Sequence, residues 1–252
     1  MPGTGLTGLS LARQERLILL VTAILVSLLL WWGLLSGHSL LSRMPHGGTA
    51  AQLLNGFIMW QLMMVAMMLP PVLPWIWFFA AATRNSDSGA VAWFDTVLFA
   101  AGYFSLWGLF SLLAAGAQLG LSNWGSFDAT GLVLPPVISG ILLCAAGLYQ
   151  FSPLKRACLR RCRSPLGYFL THWRNGPGGA FRLGFAHGLV CLGCCWALMT
   201  LSFALGTMNL LWMGLLVLLL CGEKIAPGGE LLSKFAGGGL LIWGSLILFG
   251  AI

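Results

Sequence analysis

Leu183-Gly-Phe-Ala-His187-Gly-Leu-Val-Cys191-Leu-Gly-Cys194-Cys195-Trp-Ala-Leu-Met199-Thr-Leu-Ser-Phe-Ala-Leu205 runs 23 residues without a charged side chain. A helix of that length measures about 34 Å at 1.5 Å per residue. That is enough to cross a hydrocarbon core of about 30 Å. The segment predicts a membrane-spanning helix with an unusual set of polar groups. At about 100° per residue, His187, Cys191, Cys194 and Cys195 share roughly a quarter to a third of the helix surface, and Met199 extends the row.

The rest of the chain has the same apolar character. It is 252 residues long, 58% hydrophobic and 8% charged, with a mean hydropathy of +0.89. A soluble domain carries about 25% charged residues. The reading is an all-α, polytopic transmembrane bundle forming a single membrane domain over residues 1–252. Seven spans are expected, with six and eight as bounds: 17–35, 53–82, 93–117, 132–150, 183–205, 210–224 and 235–252. The first is long enough to span and lacks a small-residue cleavage site, so it reads as a retained helix. The second is too long for one straight span, and Pro70, Pro71 and Pro74 are expected to break it.

Charge placement sets the orientation. With seven helices, Arg13, Arg16, Arg84, Lys155, Arg156, Arg160, Arg161, Arg163, Arg174, Arg182, Lys224 and Lys234 all fall on one side, and Arg43 on the other. The positive-inside rule then puts the N-terminus in the cytoplasm, and the protein reads as multi-pass in a bacterial inner membrane. The net charge of +7 follows this topology and gives no reason to expect nucleic acid. Residues 151–182 read as a basic cytoplasmic loop with Pro153, Pro165 and Pro177 as breakers. Its positive charge is a topology signal first, and a short amphipathic helix on anionic lipid second.

Two helices carry candidate metal ligands. Thiolate and imidazole suit soft or borderline ions such as Cu(I) and Zn(II), so His187, Cys191, Cys194, Cys195 and Met199 form the primary set. Adjacent residues on a straight helix do not easily chelate one ion. Cys191 with either Cys194 or Cys195 is therefore expected to ligate while the third thiol packs. The second helix reads Met59-Trp60-Gln61-Leu62-Met63-Met64-Val65-Ala66-Met67-Met68-Leu69-Pro70. Met59, Met63 and Met67 form one row, and Met64 and Met68 a neighbouring one. Thioethers bind Cu(I) without bringing a charge into the membrane. Methionine also fills gaps in helix packing, and the two readings stand level.

Weaker candidates lie elsewhere. His38, Met44 and His46 share the outer loop after the first helix. Cys158 and Cys162 are an i, i+4 pair in the basic loop. Glu223 and Lys224 end the sixth span, where an ionisable pair at the membrane edge is ordinarily structural. Nothing in the sequence composes a catalytic set.

The motifs Met59-Trp60…Met63-Met64-Val65-Ala66-Met67-Met68-Leu69-Pro70 and His187-Gly188…Cys191-Leu192-Gly193-Cys194-Cys195-Trp196-Ala197-Leu198-Met199 resemble one family closely. So do Gly147-Leu148-Tyr149-Gln150-Phe151-Ser152-Pro153-Leu154-Lys155, Cys158…Cys162-Arg163-Ser164-Pro165, Met208-Asn209 and Glu223-Lys224. The family comprises bacterial predicted metal-binding integral membrane proteins built around a domain of unknown function. The resemblance covers roughly residues 50–245 and implies a metal site in the membrane.

Three functions are expected in order of weight. The first is binding of a soft metal, Cu(I) before zinc, for transport or for delivery to a cuproenzyme, with a metallochaperone as donor. No GxxxxGK[ST] loop is present to couple nucleotide hydrolysis. The second is a membrane thiol–disulfide oxidoreductase using Cys191 and Cys194, which have CxxC spacing. The third is a non-catalytic subunit of a membrane complex, or a homo-oligomer, held by its tryptophans and glycines.

Overall fold

The computed structural model describes residues 31–33, 48–84, 89–123, 134–173, 176–206 and 209–250. Apart from 31–33, the first expected span lies outside the described residues, as do His38, Met44 and His46. The described chain is helical throughout: α1 (Thr49–Arg84), α2 (Gly89–Asn123), α3 (Pro136–Gln150), α4 (Pro153–Cys162), α5 (Pro165–His172), α6 (Pro177–Leu205), α7 (Leu210–Ile225) and α8 (Gly229–Leu248). Among the described residues there is no strand.

Four helices are long and apolar enough to cross a membrane: α1, α2, α6 and α8. A fifth span results if α3 and α4, which meet at a 65° bend, count as one. The expected fourth and sixth spans correspond to α3 and α7, of 15 and 16 residues. At 1.5 Å per residue each reaches only about 23–24 Å, short of a full crossing.

Two expectations about proline are corrected. α1 continues through Pro70, Pro71 and Pro74 instead of breaking there. Helices inside a bundle tolerate proline because neighbouring groups take up the freed carbonyls, and Val72, Trp75 and Phe79 pack into the core just beyond. The segment read as a basic loop is mostly helical. Pro153, Pro165 and Pro177 stand in the first turns of α4, α5 and α6. A first-turn residue needs no N–H donor, and proline's fixed φ already suits the helix. Ser152 completes the start of α4 by accepting the Lys155 N–H at 3.1 Å.

α6 lies at the centre of the bundle. Lipid tails are as apolar as leucine, so helices in a membrane associate by close packing, not by escape from water. α2 and α6 cross where Gly102 faces Phe181 and Gly184 faces Phe99. A Cβ on either glycine would run into the facing backbone carbonyl. α1 packs along α2 and runs antiparallel to α6. Two ring pairs set that register: Trp60 on Phe203 at 4.7 Å, and Trp75 stacked on His187 at 3.6 Å. Between these anchors the α1 methionines fill the core, with Met63, Met64, Met67 and Met68 fully buried and Met59 half-buried.

Candidate metal centre

Cys191, Cys194 and Cys195 are all buried on α6, and their three Sγ atoms lie within 4.8 Å of one another. The adjacent pair converges because both thiols turn back to the Cys191 carbonyl, at 3.0 Å from Cys194 and 2.9 Å from Cys195. The sequence predicts that one of these two ligates and the other packs; the structure brings both sulfurs close to that of Cys191. The Cys191 and Cys195 sulfurs stand 4.0 Å apart. A metal–sulfur bond of about 2.3 Å separates two ligand sulfurs by about 3.8–4.0 Å in tetrahedral or trigonal geometry. The Cys191–Cys195 spacing is therefore one that two ligands of a single ion can adopt.

A fourth thiol arrives from a different helix. Cys162, the last residue of α4, is buried with its Sγ 3.8 Å from that of Cys194. Trp75 fixes this end of α4 by donating its indole N–H to the Cys162 carbonyl at 2.8 Å. The same indole stacks on His187, so α1, α4 and α6 meet at one tryptophan. Cys158, one turn earlier, lies against Gly193, where a Cβ would come within 2.7 Å of its sulfur. The Tyr149 hydroxyl donates to the Gly193 carbonyl and closes α3 onto the same turn.

Two further polar groups face Cys191. The Lys224 ammonium donates to its sulfur at 3.0 Å, and the Tyr103 hydroxyl shares a hydrogen bond with it, also at 3.0 Å. Both side chains are buried. An ammonium ion inside a bundle is costly unless an anion or strong acceptor faces it, and a thiolate meets that need. Glu223, the preceding residue, turns elsewhere: its carboxylate takes both oxygens to Lys155 Nζ, at 2.9 and 2.8 Å. The expected edge pair is thus two buried groups with separate partners.

The remaining candidates divide by position. His187 is buried, and its Nδ1 lacks a hydrogen-bond partner among the described residues. Its ring nitrogens do not fall within the three-sulfur group. Met199 is fully buried two turns along α6 from Cys191. Met63, Met64, Met67 and Met68 of α1 are fully buried in the same core as the α6 sulfurs. Tyr103, Trp75 and Lys224 escaped the sequence reading as parts of this site. Only Lys224 left a signal there, as a charge closing an apolar run too short to span.

A search of curated proteins and of solved structures finds no match to this chain. One family model does match, over residues 57–247, and its description is copper chaperone. The matched stretch holds the methionine face of α1, the Cys158/Cys162 arm, the three-sulfur group of α6 and Lys224. With three quarters of its length inside that model, the chain belongs to the PpoB2 copper chaperone family.

Proposed function

We propose that this protein is a multi-pass membrane carrier that takes up Cu(I) as cargo, holds it on Cys191, Cys194 and Cys195, and delivers it to a cuproenzyme. The observation that carries this reading is the buried group of three sulfurs within 4.8 Å, with the Lys224 ammonium 3.0 Å from Cys191. Charge arithmetic fits a monovalent ion. With the third cysteine kept as a neutral thiol, two thiolates and Cu(I) sum to one negative charge, and Lys224 brings the total to zero. A neutral unit is what a low-dielectric interior accepts.

The other sulfurs have graded roles in this reading. Met59, Met63, Met67 and Met199 supply neutral, weaker ligands along the face between α1 and α6, with Met64 and Met68 beside them. Thioethers receive and release Cu(I), while thiolates retain it. Cys162 and Cys158 sit on the α4 arm, where an incoming ion would first meet thiols. His187 sets the floor of the site against Trp75 and adds imidazole if the ion moves toward it. Seven spans with a cytoplasmic N-terminus would put α4 and α5 on the cytoplasmic face of a bacterial inner membrane, open to a metallochaperone donor.

The test is metal analysis of the purified chain after anaerobic loading with Cu(I) or Zn(II). The wild type should retain copper in preference to zinc after desalting. Cys191→Ser/Cys194→Ser should retain almost none while eluting as a folded species. Equal copper in both would overturn the cysteine site.

The Cys162–Cys194 approach of 3.8 Å also favours a second reading, thiol–disulfide exchange. Alkylation mapping in cells separates the two. A Cys162–Cys194 or Cys191–Cys194 disulfide that persists in copper-replete cells supports the redox reading, and uniformly reduced thiols support the carrier.

A further inference from the structure

A second, separate site lies where α3 ends, α4 begins and α8 starts. A cavity of about 190 Å³ opens there. At about 30 Å³ per water it holds roughly six water-sized groups, enough for a phosphate with a short ester stub. Arg156 and Lys234 line it as basic residues, together with Lys155, Gln150 and Ser233. Glu230 also lines it, and its carboxylate is engaged by Arg160 at 2.9 Å. The Lys155 charge is likewise met by Glu223. Arg156 and Lys234 are thus the two lining cations that form no ion pair among the described residues. Arg156 makes one neutral contact, donating to the Phe151 carbonyl at 3.4 Å.

An unused donor is buried beside the cavity. Gln150 is 2% exposed. Its Oε1 accepts from Lys155 Nζ and, at 3.1 Å, from Ser233. Lysine only donates, so this contact fixes which end of the amide is oxygen. The Nε2 is then a buried donor with no acceptor among the described residues. A buried donor left unmade costs about 1–3 kcal/mol, and this one lies beside the basic lining of the cavity.

We propose that this cavity binds the phosphate group of an anionic phospholipid. The surroundings favour lipid as the source of that phosphate. Phe151 and Leu159 line the same cavity. Leu154, Leu231 and Phe235 stand exposed nearby in sequence, at 59%, 58% and 70%, on α4 and α8. The α8 span is mostly open to lipid, with 17% of its most apolar window buried. A basic cavity between helices at the end of a span, with exposed apolar side chains on the same two helices, combines headgroup charge recognition with acyl contact. The site does not depend on copper: its residues are not those of the sulfur group.

The full chain in neutral-lipid nanodiscs tests this by native mass spectrometry, titrated with phosphatidylglycerol, with phosphatidylcholine, and with inorganic phosphate as a competitor. Phosphatidylglycerol should bind saturably and phosphatidylcholine should not. Arg156→Gln/Lys234→Gln should weaken binding about 20- to 30-fold, from two near-surface charges. The control Arg161→Gln/Arg182→Gln removes two exposed charges outside the cavity and should change it less than about twofold. Gln150→Glu keeps the acceptor for Lys155 and Ser233 but replaces the free donor with a carboxylate, and should abolish saturable binding in a chain that still loads copper. Equal losses in the cavity and control variants, or equal binding of both lipids, would overturn the site. Displacement by millimolar inorganic phosphate would keep the oxyanion chemistry and overturn lipid as its source.

Discussion

Lys155 and Lys224 are both buried ammonium groups, yet the two regions they serve are built differently. The Lys155 charge is answered in kind. The Glu223 carboxylate meets it with both oxygens, the Gln150 amide adds a third acceptor, and Arg163 caps the Glu223 carbonyl at 2.8 Å. Around Lys224 the partner is a sulfur, Cys191, itself one of three buried sulfurs within 4.8 Å of one another. Carboxylate and amide form a closed clamp that ties α3, α4 and α7 together. Thiols can exchange a proton or an ammonium partner for a metal. Adjacent residues on α7 thus join a structural region to an exchangeable one.

The comparison breaks most visibly at Glu223. Glu223→Gln leaves the Lys155 charge buried without its counter-ion, and removal of one partner of a buried pair costs about 3–5 kcal/mol. The expected result is a sharp fall in melting temperature and in folded yield, with normal copper per folded molecule. Lys155→Met/Glu223→Leu removes both charges and should recover most of that loss. If Glu223→Gln stays as stable as wild type, the clamp is not structural.

Lys224→Met should do the reverse. The fold loses less, because thiols accept a neutral state where a lysine facing an amide and a carboxylate does not. Copper affinity in a chelator competition should fall by at least about tenfold, or ~1.4 kcal/mol, since a two-thiolate Cu(I) unit would then carry an unanswered negative charge. Lys224→Arg keeps the charge and should restore part of the affinity. Unchanged affinity in Lys224→Met would remove Lys224 from the site.

What the sequence disclosed follows from which interactions are local. The row His187, Cys191, Cys194 and Cys195 repeats within one helix, so its shared face was legible from helical period alone. The apolar runs of α1, α2, α6 and α8 were legible for the same reason. Cys162 meets Cys194 across 32 residues, and Lys224 meets Cys191 across 33. No period encodes such meetings, since they depend on how α4 and α7 dock. Lys155 looked like one more positive charge in a basic loop, because its partner is 68 residues away. Pro153, Pro165 and Pro177 were legible as boundaries but ambiguous in sense: a proline that ends one helix also suits the first turn of the next. The convergence of Cys194 and Cys195 depends on side-chain torsions that bring both thiols to one carbonyl, which spacing does not specify.

The smallest effect is expected on the methionine face, and it sharpens the comparison by asking whether sulfur there serves packing or exchange. Met63 and Met67 are fully buried, and leucine is close to methionine in volume. Such swaps usually cost less than about 1.5 kcal/mol, so Met63→Leu/Met67→Leu should fold with nearly unchanged stability. Final copper content should also be unchanged, because the three thiols of α6 remain. The rate of loading should fall instead, by about threefold to tenfold if thioethers provide the weaker sites through which the ion passes. Stopped-flow transfer of Cu(I) from a coloured chelate complex measures that rate directly. An unchanged rate with unchanged stability would assign the face to packing, and copper would then have to reach Cys191 by the α4 arm, past Cys158 and Cys162.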